Sequence, residues 1–152
     1  MQLLIIEDDN QKAERIKAAL SGMEVVKSIE VCRSYQSGLR YLQESTAAVD
    51  LVILDMSLPT FDPAPDVRQG RPRPLGGYEI MRKLKRQGIY PKIIVLTALE
   101  NFGSREEQIS FEELGKKCSS EFSGMFIQAI QYSQSATSWQ AALRELIEGG
   151  RK

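Results

Sequence analysis

The sequence predicts an α/β protein built as a doubly wound parallel sheet of five strands with five helices, in one domain. Three observations carry that prediction. The apolar runs at residues 3–6, 51–54 and 93–96 are continuous rather than alternating, as expected of strands covered on both faces. Segments with helical apolar spacing lie between and after the strand-like runs, and such alternation implies parallel strands with helices on both faces. The length of 152 residues suits a single domain with a substantial core.

The elements follow in order. Residues 3–6 form the first strand, and Asp9 or Asn10 can cap the helix that follows. Ala13, Ile16, Ala19 and Leu20 line one face of that helix, with Gly22 as its stop. Residues 24–31 read as a second, more polar strand nearer the sheet edge. Ser34 can cap a helix through Leu39 and Leu42, and residues 49–54 make the most hydrophobic strand. The stretch 59–76 breaks the pattern with Pro59, Pro63, Pro65, Pro72 and Pro74, besides Arg68, Arg71 and Arg73; this is loop composition. Ile80, Met81 and Leu84 give the next helix, ending before Gly88, and residues 92–97 the fourth strand. Residues 104–117 read as a weakly amphipathic helix and 124–132 as the fifth strand. Thr137 and Gln140 have capping-box spacing, ahead of an apolar face of Trp139, Ala142, Leu143, Leu146 and Ile147.

Composition narrows the function. Lys plus Arg and Asp plus Glu both number 20, so no global field draws the chain to nucleic acid or an anionic membrane. There is no histidine, which excludes imidazole acid–base chemistry, histidine phosphotransfer on this chain and imidazole metal sites. Cys32 and Cys118 are far apart without CxxC spacing and are expected to be free thiols of a cytoplasmic protein. No signal peptide opens the sequence, and no apolar stretch approaches the roughly 20 residues of a membrane span.

The chemistry sits where the strand-like runs end. The first run leads into Glu7, Asp8 and Asp9, the third into Asp55 and the fourth into Thr97. In a parallel sheet these residues converge on the carboxyl edge, where α/β sheets build their sites. Crowded carboxylates repel unless a cation or proton holds them together. With no imidazole on the chain, oxygen ligands favour Mg²⁺, Mn²⁺ or Ca²⁺. A structural alternative is open for Asp8 and Asp9, which can cap the first helix and favour its dipole.

Ile-Ile-Glu-Asp-Asp at 5–9, Leu-Asp-Met-Ser-Leu-Pro at 54–59 and Val-Leu-Thr-Ala at 95–98 resemble the receiver domain of bacterial two-component response regulators. The resemblance spans nearly the whole chain and implies a receiver over residues 1–152 with a flavodoxin-like fold. It implies that Asp55 accepts a phosphoryl group, with Pro59 following four residues on. It further implies that Glu7, Asp8, Asp55 and the backbone carbonyl of Ser57 hold Mg²⁺, and that the Thr97 hydroxyl senses the phosphoryl group. The domain would be a signalling phosphoacceptor and not an enzyme, beyond Mg²⁺-dependent self-phosphorylation and self-dephosphorylation. Its partners would be a histidine kinase or phosphotransfer protein and a downstream protein, with neither nucleic acid nor membrane. Tyr132 and Phe126 are candidates for the family's switch aromatic or for packing.

Three departures bear on function. The family's lysine at the end of the fifth strand is missing, and no lysine lies between Lys117 and Lys152. Gln128 or Gln131 can offer a neutral donor in its place, about half as strong as a charged one. An Arg/Pro-rich insertion at about 60–76 separates Pro59 from Gly77, and Arg68, Arg71 or Arg73 can supply the missing charge, contact a partner or stay solvated. The stretch between Thr97 and the fifth strand is also long. These departures motivate an alternative, a degenerate receiver that binds a partner without phosphorylation. A phosphohydrolase reading lacks support, because no second acid follows Asp55 at Asp-x-Asp spacing.

Overall fold

A computed structural model describes residues 1–45, 48–63, 73–98, 101–103 and 108–149. Five parallel strands are β1 (Gln2–Ile6), β2 (Ser28–Cys32), β3 (Leu51–Leu54), β4 (Lys92–Thr97) and β7 (Phe126–Gln131), side by side in the order β2-β1-β3-β4-β7. A separate antiparallel hairpin pairs β5 (Asn101–Gly103) with β6 (Gln108–Ser110). The helices are α1 (Asn10–Leu20), α2 (Tyr35–Ser45), α3 (Gly76–Arg86), α4 (Phe111–Glu121) and α5 (Ser138–Gly149). The predicted five-stranded, flavodoxin-like arrangement is therefore observed. The strand order reverses between β1 and β3, the switch point where such folds place their sites.

Alternation along the central strands divides the core in two. Leu3, Ile5, Leu51, Ile53, Ile94 and Leu96 pack with Ile16 and Leu20 of α1 and with Trp139, Leu143 and Ile147 of α5. Leu4, Ile6, Val52, Leu54, Ile93 and Val95 pack with Leu39, Ile80, Met81, Leu84 and Leu114 of the other three helices. All twelve strand residues are buried. At roughly 1.5–3 kcal/mol for each fully buried aliphatic side chain, this double-sided burial dominates the fold's stabilisation.

Two predicted elements differ from observation. The second strand begins at Ser28, because residues 23–27 turn after Gly22, whose φ of +84° suits glycine. The helix expected over 104–117 starts instead at Phe111, after β6. Its N-cap is Ser110, whose Oγ accepts from the Glu113 N–H at 3.2 Å. Ser110-Phe-Glu-Glu113 is thus the capping signal that sets this start. Residues 104–107 lie outside the described residues, as do Arg68 and Arg71 of the insertion.

The insertion leaves the sheet through a narrow neck. Leu58 and Arg73 form an antiparallel bridge, with N···O distances of 3.1 and 2.6 Å. The carbonyls of Pro59 and Thr60 accept the N–H groups of Tyr35 and Gln36 at 2.9 and 3.0 Å, satisfying donors that the first turn of α2 leaves open. Below the neck, the Gly77 N–H bonds the Met56 carbonyl at 2.9 Å. A Cβ on Gly77 would lie 2.6 Å from the Asp55 carbonyl oxygen, so only glycine fits there. Gly77→Ala is expected to lower stability by about 1–3 kcal/mol in chemical denaturation; an unchanged midpoint would refute this contact.

Both cysteines are free. Burial pushes the Cys32 thiol up to about 11 and the Cys118 thiol up to about 12. At pH 8 on the order of one thiol in a thousand or fewer would be ionised. Alkylation should be slow for Cys32 in the native protein and should reach fully buried Cys118 only on unfolding. Rapid native labelling of Cys118 would contradict its placement.

Candidate functional site

The carboxyl ends of β1 and β3 deliver Glu7, Asp8 and Asp55 to one cleft of about 410 Å³, beside the end of β4. Glu7, Asp8 and Asp55 each offer a carboxylate oxygen, and these oxygens lie within 4.8 Å of one another. Ser57 lines the same cleft, as do Asp9, Ala98 and Gln134. Thr97 is fully buried at the end of β4, and its carbonyl accepts the Tyr132 N–H at 2.8 Å. The cleft wall on that side is Ala98.

Backbone pairing fixes the acids. The Asp55 N–H bonds the Ile6 carbonyl at 3.0 Å, and the Glu7 N–H bonds the Cys32 carbonyl at 2.9 Å. Asp55 Oδ1 accepts the Met56 N–H at 2.7 Å, and Glu7 Oε1 accepts the Asp9 N–H at 3.1 Å. Asp9 is the N-cap of α1, accepting from the N–H groups of Gln11 and Lys12 at 2.9 and 3.4 Å. The acids therefore divide their work, with Asp9 capping and Asp8 in the cluster.

The cation of the site comes from an unpredicted place. Lys12, in the first turn of α1, is 4% exposed. Its Nζ lies 2.7 Å from Glu7 Oε2, 3.5 Å from Asp55 Oδ2, and donates to the Leu96 carbonyl at 2.7 Å. It also stands 5.2 Å from the centre of the Tyr132 ring. Arg15 donates to the Tyr132 hydroxyl at 2.8 Å, and the Tyr132 ring packs against Trp139 with centroids 5.0 Å apart. Tyr132 thus forms a wall of the cleft at the end of β7, where the sequence offers no lysine.

Of the expected lysine substitutes, the described ones, Gln128, Gln131 and Arg73, make contacts away from the cluster or face solvent. Gln128 and Gln131 are exposed, and Gln128 faces a different groove, beside α4. Their failure follows from position on the edge strand β7, where Ile130 is the buried residue and the buried Tyr132 follows just past the strand end. Arg73 donates to Thr60 Oγ1 and Glu79 Oε2 and stacks 4.5 Å over the Tyr35 ring. These contacts hold it at the neck of the insertion. Lys12 had a sequence signal of its own, since it shares a helical stripe with Ile16 and Ala19. A charge on an apolar face, directly after an acidic cluster, calls for a buried partner.

Electrostatics support a cation between the acids. Burial, then the charge of Asp55, pushes the Glu7 carboxyl up to about 8 against the pull of Lys12. Burial and Asp55 also raise Asp8. Glu7 Oε2 is ion-paired to Lys12 but has no regular hydrogen bond. Three clustered carboxylates facing an open cleft fit a hard divalent cation. Raised acid pKa values mean that the native state binds more protons than the unfolded chain. Metal-free stability should therefore fall as pH rises from about 4.5 to about 8. Thermal melts should show this decline flattened in Glu7→Gln, and added Mg²⁺ should raise the melting temperature more at pH 8.5 than at pH 5. Equal slopes in the two proteins would contradict the assignment.

Comparison with known proteins agrees with this architecture. Residues 3–113 match the response regulator receiver domain family. An uncharacterized protein, y4jR, of Sinorhizobium fredii is 28% identical over 95% of each chain. The Detocs response regulatory protein DtcB of Enterobacter cloacae is 22% identical over 97% of this chain and 98% of its own. Among solved structures, the CheX-CheY-BeF3-Mg+2 complex from Borrelia burgdorferi contains a chain with the same fold, at a TM-score of 0.70 and 13% identity, covering 100% of this chain and 90% of that one. No helix among the described residues is long and apolar enough to cross a membrane. The chain belongs to the response regulator receiver domain family.

Proposed function

We propose that this receiver accepts a phosphoryl group on Asp55 and signals by protein–protein contact within a phosphorelay. The observation that carries this reading is the Asp55 carboxylate, 13% exposed and ion-paired, in an open cleft with two further acids. A buried acid with no cleft would serve packing alone.

In this reading, an Asp55 carboxylate oxygen attacks the phosphorus of the donor. The new O–P bond forms as the bond from phosphorus to the leaving group breaks, and the leaving group keeps the electron pair. Glu7, Asp8, Asp55 and the Ser57 carbonyl would hold Mg²⁺, which when bound offsets repulsion between the carboxylate and the incoming phosphoryl oxygens. Thr97 would hydrogen-bond the phosphoryl group once it is in place, moving with the end of β4. A histidine kinase or phosphotransfer protein would supply the phosphoryl group. The balance of 20 basic and 20 acidic residues supports a protein as the output partner over nucleic acid. The response regulatory name of the DtcB relative, and the protein complex in which the CheY fold neighbour was solved, agree with this role.

The ion pair of Lys12 with Asp55 favours this reading over a degenerate, phosphorylation-independent receiver, because it puts a cation at the acceptor despite the missing strand lysine. Incubation with Mg²⁺ and acetyl phosphate should add one acid-labile phosphoryl group, seen by intact-protein mass spectrometry. Asp55→Asn should abolish it. A wild-type protein that takes up no phosphoryl group under these conditions would refute the proposal.

A further inference from the structure

We infer that Lys12 of α1 is the cation of the phosphoacceptor site, and that it ties the charge state of Asp55 to the end of β4; this rests on the phosphoaccepting reading above.

The geometry leaves few other roles for this residue. A lysine in the first turn of a helix opposes the helix dipole, and a buried ammonium loses its hydration. Lys12 accepts both penalties while 4% exposed. Ile16 and Ala19 on the same stripe pack into the core, whereas Lys12 lines the acidic cleft. What the ammonium supplies is charge between Glu7, at 2.7 Å, and Asp55, at 3.5 Å. The Tyr132 ring, 5.2 Å away, closes the side of the cleft that β7 would otherwise occupy with a cation.

Proton counting then connects the site to the sheet. An ammonium has three N–H donors. One goes to the Leu96 carbonyl at 2.7 Å, and two remain for the carboxylates. Phosphorylation turns one Asp55 carboxylate oxygen into the bridging oxygen of an acyl phosphate and adds phosphoryl oxygens carrying more negative charge. Lys12 would redirect its weakest contact, the one at 3.5 Å, toward those oxygens. Its bond to Leu96 lies one residue before Thr97, so any shift of the ammonium is felt where β4 ends.

The test compares wild type, Lys12→Met, Lys12→Arg and Asp55→Asn, all checked for folding by circular dichroism. With saturating Mg²⁺ and acetyl phosphate, Lys12→Met should take up the phosphoryl group about tenfold or more slowly than wild type, with partial rescue in Lys12→Arg. Lys12→Met should also bind Mg²⁺ alone more tightly by isothermal titration, because the competing ammonium is gone. Mere loss of packing would not tighten metal binding. A third measurement needs no substitution: the Lys12 ¹⁵Nζ resonance should move when beryllium fluoride and Mg²⁺ are added to wild type. A Lys12→Met protein phosphorylated at the wild-type rate, or an unmoved Nζ resonance in a protein that takes up phosphoryl, overturns the role of Lys12 alone. A wild type that Mg²⁺ and acetyl phosphate leave unmodified overturns the phosphoaccepting reading, and this inference with it.

Discussion

Negative charge gathered at one edge of a parallel sheet is the constraint on which the site depends. Parallel pairing of β1 with β3 brings Ile6 level with Leu54, so Glu7 and Asp55 must emerge side by side. Their carboxylates are largely removed from water, where like charges interact far more strongly than in solvent. Without compensation the edge would be unstable or protonated. The ammonium of Lys12 compensates in part, one positive charge against three clustered acids. The remaining imbalance makes the cleft receptive to a second cation.

Neighbouring elements follow from that requirement. Asp9 caps α1 and starts the helix where its third residue points back into the cleft. Tyr132 offers the ammonium a ring face, itself braced by Arg15 and Trp139. On the far side, Gly77 brings the start of α3 against the Asp55 carbonyl, closer than a side chain would allow. The acceptor is thus held through its backbone N–H by Ile6 and through its side chain by Met56 and Lys12.

Much of this was legible in the sequence because strand ends are marked twice, by apolar runs and by the polar residue that stops them. The sheet, the two-sided core and the convergence of Glu7, Asp8 and Asp55 all followed from those marks. The source of the cation did not. A motif ties it to a strand, whereas here it comes from a helix, and only three-dimensional placement reveals that residue 12 faces residue 55. The hairpin β5–β6 was missed for a different reason: its strands have three residues each, too short for any period to register. The start of α4 was recoverable in principle from the Ser110 cap.

The Leu58–Arg73 bridge separates the insertion from everything beneath it. Its two hydrogen bonds hold the chain ends together whatever lies between them. Loop-closure entropy grows only logarithmically, about 0.6 kcal/mol for each doubling of length. A longer or shorter segment closed by this bridge would therefore cost the sheet little. The neck thus uncouples the length of the insertion from the sheet edge below it, where Gly77 still meets the Asp55 carbonyl.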